Sequence, residues 1–287
     1  MEDLVGQMNL TRVRFGTSCV PTAKWKVFRH CNYTCGYCST RDEATWPPRG
    51  TNPAVLAALV DAFVPRSWRI YLTGGEPTRE PGALTTIIRT LASSGHELRL
   101  ISNGSAEPAA YSRLHDAADG ALRSLFLTWH PTMVRRADFV NKALSVRRTL
   151  SSACKIQARQ VVAPNLKSLT DFLVMRDRLS SAGVETKPLF LVLKTDGGRR
   201  QVDYQALPAA LVADVFAGQP NSPCRAGTYC PAGYEYTYIS PEMDVYTCIP
   251  AKKQADGCLG NLVLGTARLR DVPRLCAIDY CHCVPGS

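Results

Sequence analysis

A chain of 287 residues, 45% hydrophobic and 20% charged, can bury one large core, alone or with a small appendage. No run of about 18 apolar residues occurs, which excludes a helical membrane span, and the N-terminal stretch lacks the apolar segment of a secretory signal. A formal charge of +10 can draw phosphates, but no Lys/Arg block interleaved with aromatics gives a nucleic-acid footprint, so the surplus reads as a solvated Arg-rich surface.

The predicted elements alternate. Residues 25–28 read as a strand that ends at a cysteine loop, and residues 53–63 as a helix with Val55, Leu59 and Phe63 on one face. A strand at 68–72 is closed by Thr73-Gly74-Gly75-Glu76-Pro77, and a helix at 84–94 is stopped by Gly95. Further strands are expected at 98–102, 122–128, 156–162 and 186–193, with helices at 139–150 and 169–181. Six strands separated by helices imply a parallel sheet with helices outside, an α/β partial (β/α)6 barrel whose chemistry sits at the C-terminal strand ends. The Cys31 loop, Gly74-Gly75-Glu76-Pro77, Ser102-Asn103 and Trp129-His130 all follow strands and so converge on one mouth. From Asp196 the texture changes. Residues 197–200 read as a linker, and residues 234–239 and 244–248 as two β-rich runs around a turn at Ser240-Pro241-Glu242-Met243. The expected domains are therefore 1–195 and a small cysteine-rich β-hairpin/helix unit at 196–287.

Twelve cysteines in a chain expected to be cytoplasmic, clustered at two places, point to metal or iron–sulfur ligation rather than disulfides. Cys31-x3-Cys35-x2-Cys38 supplies three thiolates from one loop. Iron–sulfur clusters usually take four, so one iron would stay open to chelate a ligand and pass it an electron. A three-cysteine zinc site is the competing reading. Glycines at 74 and 75 allow a close backbone approach to a ligand, and Glu76 offers a carboxylate to an ammonium group. His130 reads either as an acid/base or substrate contact or as packing at a strand end, and Trp129 as a pocket wall or core. Cys19 and Cys154 read as buried thiols.

Cys31-Asn32-Tyr33-Thr34-Cys35-Gly36-Tyr37-Cys38 resembles the signature of the radical S-adenosylmethionine (SAM) superfamily, with an aromatic, Tyr37, before the third cysteine. Gly74-Gly75-Glu76-Pro77 resembles that family's second motif, which binds the SAM amino group. Ser102-Asn103-Gly104 lies where the family contacts the SAM ribose or carboxylate, and reads equally well as a plain turn. The likeness covers residues 24–195. It implies a [4Fe–4S] cluster on Cys31, Cys35 and Cys38, SAM beside Tyr37, Gly74, Gly75, Glu76, Pro77, Ser102 and Asn103, and a flavodoxin or ferredoxin-type electron donor. The chemistry implied is reductive cleavage of SAM to methionine and a 5′-deoxyadenosyl radical that takes hydrogen from a carbon of a small-molecule substrate.

Cys230-Pro231-Ala232-Gly233, then Ile239, Pro241, Val245-Tyr246 and Cys248, resembles the SPASM and twitch domains that append auxiliary clusters to radical SAM cores, and Leu259-Gly260-Asn261-Leu262 resembles a stretch that often follows. Met243 stands where that hairpin usually has glycine. The cysteine run of a second auxiliary cluster is missing, so the twitch form with one auxiliary [4Fe–4S] cluster is expected on Cys230, Cys248, Cys281 and Cys283, with Cys224 and Cys276 competing. Cys258 is left over and is a candidate hydrogen-atom donor, a role Cys248 would take if Cys224 replaced it as ligand. About 30 residues before the first cluster loop leave no room for a leader-peptide recognition domain, which lowers the expectation of a peptide substrate. The compact layout resembles aminoglycoside-biosynthetic enzymes, a neomycin-type epimerase ahead of a butirosin-type dehydrogenase. A polycationic substrate requires a locally acidic pocket in so basic a protein, and a phosphorylated or nucleotide sugar is the counter-hypothesis.

Overall fold

The computed structural model describes residues 20–38, 52–65, 67–195, 198–217, 229–276 and 278. In chain order these form β1 (Thr22–Phe28), α1 (Pro53–Phe63), β2 (Arg69–Gly74), α2 (Pro81–Ser93), β3 (Glu97–Ser102), α3 (Pro108–Ala117), β4 (Leu122–Trp129), α4 (Arg136–Thr149), β5 (Lys155–Val162), α5 (Leu166–Ser180) and β6 (Glu185–Phe190). There follow β7 (Val192–Thr195), β8 (Gly198–Gln201), α6 (Ala209–Val215), β9 (Tyr229–Cys230), β10 (Tyr236–Ile239), β11 (Asp244–Tyr246), β12 (Cys258–Asn261) and β13 (Arg274–Leu275).

Strands β1 to β6 pair in parallel in sequence order, as a partial barrel requires. The period of two assigns the faces. Ile70, Leu72, Leu98, Leu100, Leu125, Leu127, Ile156 and Ala158 lie on one face and join the buried apolar core. The helices meet that face with their own stripes, such as Leu84, Ile87, Ile88 and Leu91 of α2 at helical spacing. Helix starts carry their signals: the Asn52 side chain accepts from Ala54 N at 2.9 Å ahead of α1, and Asn165 accepts from Ser168 N at 2.8 Å ahead of α5. The opposite, inner face is polar and aromatic, with Tyr71, Arg99, Phe126 and Arg159 in contact across β2 to β5.

The sheet continues beyond β1. Strand β10 pairs with β1 in parallel, from Thr22↔Tyr236 to Trp25↔Ile239, and β11 and β12 follow antiparallel, making nine strands. The turn between β10 and β11 places Met243 at φ +66°, the left-handed conformation that glycine adopts without strain. The Met243 side chain is fully buried in the core, so the burial of a thioether offsets the backbone cost. Asn261 braces the same turn, its amide donating to Glu242 O at 2.9 Å and to Asp244 Oδ1 at 2.7 Å.

Two expectations are revised. The strand expected over 186–193 is interrupted at Leu191, whose N–H donates to the Tyr204 hydroxyl at 3.1 Å, and residues 198–200 of the stretch read as a linker belong to β8, the return arm of the β7–β8 hairpin. Helices α3 and α6 were not expected; α3 buries Tyr111 and Leu114, and α6 buries Val215. No helix among the described residues is long and apolar enough to cross a membrane.

Candidate functional site

The segments leaving β1, β2, β3 and β4 meet at one end of the sheet. Gly75 N donates to Phe28 O at 2.8 Å and Glu76 N to His30 O at 2.9 Å. A Cβ at Gly74 would overlap the Phe28 carbonyl, and one at Gly75 the carbonyls of Arg29 and His30. The paired glycines thus admit the backbone entering the cysteine loop. The close approach the structure shows at these glycines is of chain to chain.

Glu76 has no solvent exposure. One carboxylate oxygen accepts from Thr78 N (3.0 Å), Thr78 Oγ1 (2.6 Å) and Ser102 Oγ (2.9 Å), and the other from Asn103 N (2.5 Å). Burial pushes the carboxyl pKa above its ordinary value, against these hydrogen bonds. Through these contacts Glu76 ties the ends of β2 and β3. Ser102 is held in turn by the Tyr111 hydroxyl at 2.7 Å. Tyr111, on α3, was not foreseen, and the one signal for it was Pro108 at the helix start.

The cysteine loop is fastened at two thiols. Asn103 Nδ2 donates to Asn32 Oδ1 at 2.9 Å and lies 3.6 Å from Cys31 Sγ, and Tyr33 N donates to the same sulfur at 3.4 Å. His130 Nδ1 stands 3.3 Å from Cys35 Sγ and 2.7 Å from the Tyr37 hydroxyl, with Tyr37 stacked on the imidazole and Tyr33 edge-on. Cys38 N donates to Cys35 O at 3.0 Å, closing the turn. Burial pushes the Cys31 and Cys35 thiols up, Cys38 adds to both, and hydrogen bonds from Tyr33 and Asn103 at Cys31 and from Tyr37 at Cys35 oppose it. Burial lowers the His130 pKa to about 4, so the ring is neutral near pH 7. Trp129, offered as a pocket wall, is core: its Nε1 donates to Val134 O at 2.9 Å and its ring stacks on Phe139.

These donors suit an iron–sulfur cluster, whose usual ligands are thiolates. The three thiols lie within electrostatic reach of one another. A cluster binds each thiolate at a separate iron, which spreads the ligands.

The second cysteine group comes from separate elements. Cys230 ends β9, Cys248 is buried two residues past β11, Cys258 opens β12, and Cys276 follows β13. The β9–β13 ribbon sets Cys230 opposite Arg274, which brings Cys276 into its neighbourhood. Ile278 packs on the small cluster of Tyr236, Cys248 and Ala251. Cys258 is exposed and pairs in register with Tyr246. Cys154 is buried, as expected, and burial raises its thiol to about 11. Cys19, Cys224, Cys281 and Cys283 lie outside the described residues.

Residues 25–131 match the model of the Radical SAM superfamily. Among solved structures, a histidine-tagged anSMEcpe with bound AdoMet aligns over 85% of this chain and 75% of its own at 12% identity, with a TM-score of 0.58. Native anSMEcpe with bound AdoMet and Cp18Cys peptide aligns over 84% and 77% at 12% identity, with 0.58. SuiB of Streptococcus suis bound to S-adenosylmethionine aligns over 84% and 63% at 12% identity, with 0.54. No curated protein matches the sequence. At 12% identity the structural likeness is one of fold. The chain carries a Radical SAM superfamily domain over residues 25–131, within a sheet shaped like those of these SAM-bound proteins.

Proposed function

We propose that the protein is a radical SAM enzyme acting on a small carbohydrate-like substrate, as an epimerase in which a cysteine thiol returns the hydrogen. The observation that carries the reading is the cysteine loop itself. Asn103 reaches Cys31 and His130 reaches Cys35 from two further strand ends, and Glu76 accepts from Asn103 N and so holds the first of these in place. Cys31, Cys35 and Cys38 would hold a [4Fe–4S] cluster, and Cys230 and Cys248, with further cysteines among 224, 276, 281 and 283, an auxiliary one. When bound with SAM, the first cluster supplies the electron from a flavodoxin or ferredoxin-type donor that releases the 5′-deoxyadenosyl radical.

The chain's own residues hold and tune the sulfurs. The Asn103 amide and the Tyr33 N–H donate toward Cys31 Sγ and so oppose the burial that favours its thiol, and His130 Nδ1 stands against Cys35 Sγ and the Tyr37 hydroxyl. Cys258 supports the epimerase reading because its exposed thiol shares the inner face with Tyr246 and Tyr238. It would give a hydrogen atom to the substrate radical from the face opposite the abstraction. The resulting thiyl radical would take one electron from the donor protein and one proton from water. Dehydrogenation, the alternative, removes an electron instead and yields a carbonyl.

Anaerobic reconstitution with iron and sulfide is expected to give about eight irons per chain, and about four after replacing Cys31, Cys35 and Cys38 by Ala, with 5′-deoxyadenosine formation abolished. A wild type that held zinc alone and left SAM intact would overturn the proposal. Turnover in deuterated water separates the two fates: one solvent deuteron at an inverted carbon, lost in Cys258→Ala, supports epimerisation, and a carbonyl product without deuterium refutes it.

A further inference from the structure

The inner face of the sheet carries a charge pattern that the radical chemistry does not use. Arg159 on β5 is 7% exposed and lies flat on Phe126, its guanidinium carbon 3.7 Å from the ring centroid. Its Nε donates to Gln157 Oε1 at 2.7 Å. Its Nη2 is buried and has no hydrogen-bond partner. The ring answers the flat side of the guanidinium, but a π-face does not satisfy an N–H at the edge. A buried cation with an idle donor is costly unless an anion meets it.

The neighbours add to the excess. Lys187 of β6 pairs in register with Arg159, on the same face. Burial and the Arg159 charge hold the Lys187 ammonium below its ordinary pKa, and burial and the Arg99 charge act in the same direction on Arg159. Arg99 of β3 stacks on Tyr71, which stacks on Phe126, so two guanidinium groups bracket an aromatic pair. Two carboxylates face this group. Glu97 is taken by Arg69 and Arg99, at 2.8 and 2.9 Å. Glu185, exposed at the start of β6, accepts from Gln157 Nε2 at 2.8 Å and acts on Arg159 and Lys187 only through space. Arg159 is also in register with Thr128, two residues before His130, so it lies about 6–7 Å of strand below the cysteine-loop contact. That places it on the wall beneath the proposed SAM site.

We propose that Arg159, with Lys187 beside it, is the oxyanion-binding end of the substrate site, so that the substrate carries a phosphate ester or a carboxylate. The inference rests on the radical SAM reading for the identity of the site and deepens it. It reverses the expectation of a polycationic aminoglycoside, because a polyamine set against Arg159, Lys187 and Arg99 would meet like charge.

The test uses the anaerobic holoprotein at constant ionic strength, titrated separately with inorganic phosphate and with acetate, and followed by thermal melting. A saturable rise in Tm with either anion is expected in the wild type, and which anion is stronger separates the phosphorylated from the carboxylate substrate. Arg159→Gln is expected to weaken the apparent affinity at least tenfold, Lys187→Gln to weaken it less, and Arg159→Lys to keep a measurable part. Arg135→Gln, at an exposed surface arginine, is the control and is expected to match the wild type. If Arg159→Gln fails to fold, Arg159→Lys and Lys187→Gln carry the comparison. A merely structural Arg159 would shift the melting point without anion and leave the anion-dependent increment intact. That result, or a wild type indifferent to both anions, overturns the proposal. Formation of 5′-deoxyadenosine in the same preparations is scored separately: its absence defeats the radical SAM reading and leaves the anion result standing.

Discussion

The two cysteine groups are built in opposite ways. Cys31, Cys35 and Cys38 lie within eight consecutive residues, on a loop whose position is set by the parallel strands beneath it. Cys230, Cys248, Cys258 and Cys276 belong to four separate short segments, carried by a two-stranded ribbon and by a hairpin attached to β1. The first group is local in sequence and depends on tertiary contacts only for rigidity. The second does not exist without tertiary structure. A defect under the first group should therefore loosen one loop, and a defect in the hairpin should disperse the second.

The largest effect that tests this contrast is expected at Glu76. Glu76→Ala leaves the N–H groups of Thr78 and Asn103 and two hydroxyls without their acceptor, at about 1–3 kcal/mol each when buried, so a loss of about 4 kcal/mol or more is expected in urea unfolding. Reconstituted iron should fall by the first cluster alone. A cost below about 1 kcal/mol would refute the role of Glu76 as the tie between β2 and β3.

Met243 probes the second group, and there the usual order of substitutions should invert. Met243→Ala loses the buried side chain and keeps the left-handed backbone, for about 3 kcal/mol. Met243→Gly loses the side chain and relieves the backbone, and should be about 1 kcal/mol the more stable of the two. Urea midpoints of the pair decide it. Auxiliary iron should fall in both variants before the first cluster does.

Glu97 lies at the far end of the strands from both groups. Burial pulls its carboxyl up, but the hydrogen bonds and charges of Arg69 and Arg99 prevail and hold it below the ordinary value. A depressed carboxylate pKa adds stability above the unfolded-state value near 4.5, and that stability is lost as pH falls below it. Glu97→Gln should flatten this acid limb by about 1 kcal/mol or less, since the group is partly solvated, and should leave iron content unchanged. The smallest expected effect is that of Cys258→Ala, within about 0.5 kcal/mol because the thiol is exposed on an edge strand. Its consequence should appear in solvent deuterium incorporation and not in stability.

The same contrast governs what the sequence disclosed. The bounds of helix α1 are legible to the residue, but its face is not: Val55, expected on the apolar stripe, is exposed, and Leu56, Ala57 and Val60 are the residues buried. The six parallel strands are legible from runs such as 98–102 and 156–162, each within a residue or so of the strand observed. Helix α3 was not expected, and it buries only Tyr111 and Leu114, one turn apart. The β1–β10 pairing had no local signal, since its determinants are far apart in the chain. At the mouth, residue types and convergence were legible. The packing there was not: Glu76 accepts from Ser102 and Asn103, and the glycines clear a path for Arg29 and His30. Arg159 was unremarkable in sequence, since only the fold shows that its inner-face neighbours leave an N–H idle.

The parallel pairing of β1 with β10 also sets a timetable. Thr22 is made early and Tyr236 late, yet they are partners. While the chain grows from the ribosome, β1 has β2 on one side and a bare edge on the other, and a bare edge invites pairing with other chains. The loop that offers Cys31, Cys35 and Cys38 hangs from that strand. Its surroundings are complete only when the hairpin of the second cysteine group has docked, so the two groups are separate in sequence but joined in the order of assembly.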